Sequence, residues 1–464
     1  MAGEKMTVAE KHAVISLSSI MGLRMIGLFM VLPVFALYAQ QLSGATPTLI
    51  GVAMGIYGLS QALFQIPFGS LSDRLGRKPI ILVGLLIFII GSLLAGFAHS
   101  ITLMIIGRAL QGVGAVGSTI LALLADLTRE EHRTKSMAIA GMTIGLSFSI
   151  AMVLGPVLTK WLAVNSLFFL AAGFGLIGIL LLYTSVPTPI DVRWHRDTEP
   201  EWNAFFKLLI TPDLAKLNIG IFLLHAIFTA SFIVIPISLD HFASLSANRQ
   251  WLVYLPTLLV AFVLAIVCIG MAERKRQLKP YFAAGIVALA IAECLLWLAP
   301  TNRLLIITAL SLFFAGFSLL EAFLPSLISR TAPITRKGTA LGIYSCAQFL
   351  GIFMGGVLGG WLYGKFGFLG VYVLCIFLAL FWLALTYRMQ PPRYLTTQVL
   401  RLSPSQQQQW NRIAAKLQLI PGIVEVTLIA EDGLAYLKME RGTAQYPDFI
   451  RLKEQLQSES CLGD

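Results

Sequence analysis

Charge is scarce in this chain. Charged residues make up 12% of 464 positions against 57% hydrophobic, more apolar surface than a single soluble core could bury at this length. Cysteine offers no framework either: Cys268, Cys294, Cys346, Cys375 and Cys461 are widely spaced and four of them fall in apolar runs, which argues against a disulfide scaffold and a metal site. No Gly-x-x-x-x-Gly-Lys-Ser/Thr loop occurs, so ATP-driven transport lacks its phosphate cradle. A catalytic constellation is missing too, so no enzyme is indicated. The short alternating segments of a membrane β-barrel are likewise absent.

Long apolar runs are present instead. A bilayer core of about 30 Å needs roughly 20 apolar residues per helix, with every backbone hydrogen bond made internally. The runs predict twelve transmembrane helices at 13 to 41, 48 to 71, 79 to 98, 101 to 127, 135 to 161, 165 to 184, 214 to 241, 250 to 272, 280 to 298, 303 to 329, 338 to 363 and 368 to 387. The first follows a short charged N-terminus and reads as an uncleaved span. Even-numbered connections hold most of the lysine and arginine, including Arg74, Arg77, Lys78, Arg129, Arg133, Arg274, Lys275, Arg276, Arg330 and Lys337, whereas odd ones hold only Lys160, Arg249, Arg303 and Lys365. By the positive-inside rule both termini are cytoplasmic. The net charge of +11 is therefore a topology signal, and nucleic-acid binding has no support.

The polar, proline-containing stretch 185–212 divides the membrane part into a six-helix half at 1–184 and another at 213–390. The halves echo one another: Val31-Leu32-Pro33-Val34 recurs as Val234-Ile235-Pro236-Ile237, Gly155 and Trp161 as Gly355 and Trp361, and Asp73-Arg74 as Glu273-Arg274. A nearly constant offset of this kind is what a duplication leaves. Residues 396–464 are polar enough for water. They read as strand Thr397 to Leu402, helix Pro404 to Leu417, strand Ile423 to Ile429, a turn at Asp432-Gly433, strand Leu434 to Met439 and helix Gln445 to Gln457, the order of a small α+β ferredoxin-like domain in the cytoplasm.

Gly69-Ser70-Leu71-Ser72-Asp73-Arg74-Leu75-Gly76-Arg77-Lys78 closely resembles the signature between helices two and three of the major facilitator superfamily. Arg108-Ala109-Leu110-Gln111-Gly112-Val113-Gly114-Ala115 resembles a second signature, that of its proton-driven drug efflux members. A third, associated with antiporters, is partly present: Gly155-Pro156 stands, but Met142 and Ala151 replace small residues and Thr159-Lys160 the closing glycine pair. The resemblance implies two facing six-helix repeats with spans one, four, seven and ten lining a central cavity. The tail, with Leu419-Ile420-Pro421-Gly422-Ile423-Val424-Glu425-Val426, resembles the heavy-metal-associated domain family. Its loop Leu402-Ser403-Pro404-Ser405-Gln406 lacks that family's Cys-x-x-Cys, so no metal or other cofactor is expected, and Cys461 alone cannot replace two thiolates.

The opening signature implies a latch. Gly69 permits close helix packing and Gly76 a turn with positive φ. The family places Asp73 against the N-terminus of helix eleven, near Lys337 to Ala340, where unpaired N–H groups favour an anion; Arg77 would pair with Asp126, together holding an outward-facing state. Arg74 and Lys78 read as positive-inside anchors. Deep in the spans lie Arg24, Arg108, His225, Glu293 and Glu321, and charge there normally faces a cavity or a partner. The cavity-lining spans favour Arg24, Arg108, His225 and Glu321 over Glu293. Glu321, beside Phe317, Leu320 and Phe323, is a candidate proton carrier whose protonation responds to access; a static pair with Arg24 is the alternative. His225 is either a titrating group or a hydrogen-bonded structural histidine. Arg108 and Gln111 match the second signature, in which the arginine influences proton movement; bonding to neighbouring carbonyls is the other reading.

The resulting expectation is a monomeric secondary transporter of the bacterial inner membrane, exporting a small amphipathic molecule against protons drawn from the proton gradient, with a tail that modulates transport through protein or ligand contacts. Two alternatives remain: a solute importer, as symporter or uniporter, and a transporter-derived ligand sensor signalling through the tail.

Overall fold

A computed structural model describes residues 6–114, 116–187, 202–298, 301–333, 336–389, 395–402, 406, 408–429, 434–440, 447 and 449–451. The membrane part is built from α1 (Val8–Phe29), α2 (Leu32–Ala39), α3 (Pro47–Leu75), α4 (Arg77–Gly96), α5 (Ile101–Val113), α6 (Gly117–Asp126), α7 (Glu130–Leu158), α8 (Asn165–Thr184), α9 (Trp202–Ile210), α10 (Pro212–His241), α11 (Trp251–Lys275), α12 (Leu278–Leu298), α13 (Arg303–Thr331) and α14 (Lys337–Tyr387). Among the described residues, eleven helical runs are long and apolar enough to cross a bilayer. The last, α14, spans 51 residues and turns at Gly367, whose φ of 62° is non-helical, so it supplies two crossings separated by a bend.

Side-chain caps begin several helices. Thr46 accepts from Leu49 N at 3.2 Å, Ser100 from Leu103 N at 3.3 Å, and Asn302 from Leu304 N and Leu305 N at 3.1 and 3.3 Å, satisfying donors that the helix leaves orphaned. Two expected spans are interrupted. The first breaks into α1 and α2 at Met30-Val31, just before Pro33, which has no N–H to donate. The fourth breaks into α5 and α6 around Gly114. Within 185–212, read from sequence only as a polar linker, α9 forms a short amphipathic helix; Leu208 is buried while Phe206 and Ile210 are exposed.

Helices α1 to α8 pack chiefly on one another, as do α10 to α14, and the two groups meet mainly along α3–α14, α7–α11 and α2–α10. Large apolar residues such as Leu86, Ile90, Leu180, Phe262, Val263, Ile266, Phe377 and Leu380 are exposed on the outside of the bundle. A band of that size suits lipid, not water.

The tail contains β1 (Leu395–Arg401), α15 (Trp410–Gln418), β2 (Ile423–Ile429) and β3 (Leu434–Glu440). Its sheet has the order β1-β3-β2, antiparallel throughout. The three strands lie where the alternating sequence put them, within two residues. In the expected first helix Gln406 and Gln408 are helical and Gln409 is a turn before α15, while residues 403–405 and 407, the Asp432-Gly433 turn, Cys461 and most of the last helix fall outside the described residues.

Candidate functional site

At one end of the bundle, termed the basic end, Gly76 closes α3 with φ 93°, a conformation that glycine adopts without a Cβ clash. The turn sets Arg77 at the start of α4. Its guanidinium pairs with Asp73 one turn back, reaches Asp126 at the end of α6 through Nε at 3.1 Å, and donates from NH1 to Ser72 Oγ at 2.7 Å. Lys78 donates to the Val186 carbonyl at 2.7 Å, joining the start of α4 to the segment after α8.

Asp73 and the N-terminus of α14 are not joined. The reason lies in two stripes. On α3, Gly51, Gly55, Gly58, Ala62, Gly69 and Asp73 follow one another at helical spacing on one face, and on α14 so do Gly360, Gly356, Phe353, Phe349, Cys346, Gly342 and Gly338. At the far end these stripes are in backbone contact: a Cβ at Gly51 would strike the Gly356 carbonyl, one at Gly55 the Phe353 carbonyl and one at Gly58 the Phe349 carbonyl. Midway, Cys346 Sγ lies 3.6 Å from the Ala62 carbonyl. Toward the basic end the faces part, and a Cβ at Gly69, Gly342 or Gly338 would meet nothing within 4 Å. Gly69 thus makes no close helix approach in this conformation, and Asp73 turns to Arg77 instead.

Buried polar groups gather in both helix groups. In the first, Arg108 on α5 donates to Gln111 Oε1 at 2.8 Å, Gln111 Nε2 donates to Ser92 Oγ at 2.8 Å, and Ser92 donates to the Phe88 carbonyl at 2.7 Å. Phe35 and Tyr57 place their rings 5.8 and 5.5 Å from the Arg108 guanidinium, a distance at which aromatic faces attract cations. Arg24, only 1% exposed, donates from NH2 to the Gly114 carbonyl at 3.0 Å and to Gln61 Oε1 at 3.3 Å. The break between α5 and α6 frees that carbonyl from helical pairing. The static Arg24–Glu321 pair is therefore not made: Arg24 is held within the first helix group.

A further network lies in the other helix group. Gln348 Nε2 on α14 stands 2.9 Å from His225 Nε2 on α10 and 3.1 Å from Glu321 Oε1 on α13, while His225 Nε2 and Glu321 Oε2 are 3.9 Å apart. A mobile proton on such a trio changes the pattern of donors and acceptors among three helices. The Glu321 side chain is 37% exposed, although its Oε2 atom is buried. Beside it Phe317 packs 5.6 Å from the His225 ring and 4.6 Å from Phe228, and Phe148 of α7 closes on both at 5.9 and 5.7 Å. Glu293 sits elsewhere, fully buried, with Oε1 2.5 Å from Ser231 Oγ.

Sequence reasoning passed over Gln348 and Phe148. Gln348 is an uncharged amide in an apolar span, and a search extended from ionisable groups to amides would have found it. Among the described residues no group of three or more His, Cys, Asp or Glu is placed to hold a metal ion.

The sequence profile of the Major Facilitator Superfamily matches residues 17–333 and 217–422. The chain is 43% identical over 436 residues to the inner membrane transport protein YajR of Escherichia coli, covering 94% of this chain and 96% of that protein. It is 30% identical over 184 residues to the multidrug resistance protein MdtL of Klebsiella pneumoniae, 37% of this chain and 47% of that one. Among solved structures, a bacterial homologue of the human lysosomal transporter Spinster, in an inward-facing and occupied conformation, superposes with a TM-score of 0.66 at 14% identity, covering 82% of this chain and 97% of the other. The helical bundle, the profile match and the full-length relative agree: this multi-pass membrane protein is a transporter, not an enzyme, and belongs to the Major Facilitator Superfamily.

Proposed function

We propose that the protein exports small amphipathic molecules in exchange for protons, by alternating access between two six-helix repeats. The reading rests on the His225–Gln348–Glu321 trio, a partly exposed glutamate and a buried imidazole bridged by an amide beside a cluster of aromatic rings. An apolar solute that enters between Phe148, Phe228 and Phe317, the last two buried in this conformation, would exclude a proton from the adjoining trio, so that the two compete. Exclusive occupation of that kind is what couples opposed fluxes, because each occupant favours its own conformation. The name of the multidrug resistance relative favours the amphipathic class of substrate.

The excess of lysine and arginine at the basic end favours a cytoplasmic position for it, with both termini on that side of the bacterial inner membrane. The parted stripes then correspond to an inward-facing state, and Asp73 with Arg77 and Asp126 to an unfastened latch. A β1-β3-β2 antiparallel order supports the ferredoxin-like reading of the tail, which we regard as modulatory.

The test is transport by the purified protein in vesicles, with ethidium and other fluorescent amphipaths as probes. A pH gradient, acid on the substrate-receiving side, is expected to drive their accumulation, and a reversed gradient to drain them. Accumulation insensitive to the gradient would refute proton exchange. Uptake driven together with protons would assign an importer instead.

A further inference from the structure

The tail carries a buried lysine. Along β3, Ala435, Leu437 and Met439 point into the tail's own core with Leu400, Ile413 and Phe449, so by the two-residue period of a strand Lys438 belongs to the opposite face. Lys438 is nevertheless only 4% exposed. Its Nζ donates at 2.9 Å to the carbonyl of Ala332, the residue that caps the C-terminus of α13. Carbonyls at a helix C-terminus lack helical partners and carry the negative end of the helix dipole, which suits an ammonium. Glu425 of β2 stands 3.9 Å away. Burial pushes the Lys438 ammonium below the ordinary lysine value, Glu425 pulls it back up and Lys337 opposes it.

The corner so engaged is the one on which the inner gate would close. Ala332 precedes Lys337, the first residue of α14, where the family resemblance lands Asp73. Arg330, two residues before Ala332, is tied to Glu273 at the end of α11 at 2.7 Å, so the corner is anchored to its own helix group. We propose that the open face of the tail sheet is a dock for the inner corner between α13 and α14, and that docking holds the gate open to the inside. The sign follows from linkage: α3 closing on this corner would displace the docked tail, and a contact made with α3 and α14 parted but lost on closure stabilises the parted state. This rests on the alternating-access reading and adds the tail as a brake on its inward-to-outward step.

Spin labels in the full-length protein, with its natural cysteines replaced, test both halves of the proposal. Arg274→Cys with Leu419→Cys reads the dock; Arg274→Cys with Leu75→Cys reads the inner gate. Lys438→Glu is expected to disperse the dock distance and to shift the gate pair toward shorter distances, and Lys438→Arg to keep both as in the wild type. Removal of residues 395–464 is expected to shift the gate pair in the same direction. A dispersed dock distance in the wild type overturns the dock. A gate unmoved by Lys438→Glu, or one that opens further, overturns the brake; if Asp73→Asn still moves that gate, alternating access survives the failure.

Discussion

Gly51 and Gly356 pack backbone against backbone, each standing where the other's Cβ would strike a carbonyl oxygen. The contact crosses from the first helix group to the second, at the end of the bundle opposite the signature turn. Small residues allow such approach between membrane helices, where van der Waals packing substitutes for a hydrophobic drive.

Gly356→Val is therefore expected to force the far-end seam apart. An overpacked contact costs about 1–3 kcal/mol, enough to change a two-state ratio roughly 5- to 150-fold. Labelling of a single cysteine at Thr46, beside the seam, is expected to speed up, while transport falls. Labelling at the wild-type rate would show that the seam does not hold the closed end.

The twelve spans were legible because bilayer thickness fixes helix length, and the tail strands because alternation fixes their faces. The glycines of span eleven were legible only in part. Small residues permit close approach of membrane helices, and Gly351, Gly355 and Gly359 pack on Phe222, Ala226 and Ala230 of α10 within the second half. Gly356 and Gly360, on the neighbouring face, pack across the seam on α3, and no local pattern names that partner. Which face of a transporter is in contact depends on its conformation, and the sequence encodes more than one. Asp73 illustrates this: the resemblance implies a landing site at the start of α14, and in this conformation Asp73 turns to Arg77.

Glu321→Gln keeps the side-chain shape and removes the titration. Gradient-driven accumulation is expected to fall by about tenfold or more, equivalent to ~1.4 kcal/mol, while exchange of labelled for unlabelled solute across a vesicle without a gradient persists. Equal loss of both activities would make Glu321 a binding or packing residue and leave His225 as the titrating member of the trio.

Asp73→Asn removes the charge expected to meet the N-terminus of α14 when the basic end closes. A carboxylate at a helix N-terminus contributes about 0.3–2 kcal/mol, so the closed population should drop by roughly 2- to 30-fold on the same scale. Labelling of a cysteine at Gly342, which faces open space here, reads that population. It should rise in Asp73→Asn, and a rate identical to that of the wild type would remove the latch.

Arg108 differs from these, because its partners belong to one helix group and do not depend on the gate. Gln111 supplies its one side-chain hydrogen-bond acceptor and is itself held by Ser92 on α4. Gln111→Leu leaves a buried guanidinium without that acceptor, a loss of about 1.5–3 kcal/mol for a hydrogen bond to a charged group. Arg108→Lys keeps the charge but loses the planar fork that reaches Gln111 while lying between Phe35 and Tyr57. Thermal unfolding in detergent is expected to separate the two roles of this chain. If Gln111→Leu lowers the midpoint and transport per folded molecule is unchanged, Arg108 braces α5 against α4. If the midpoint holds and gradient-driven transport alone falls, the arginine acts on the proton, as the efflux signature implies.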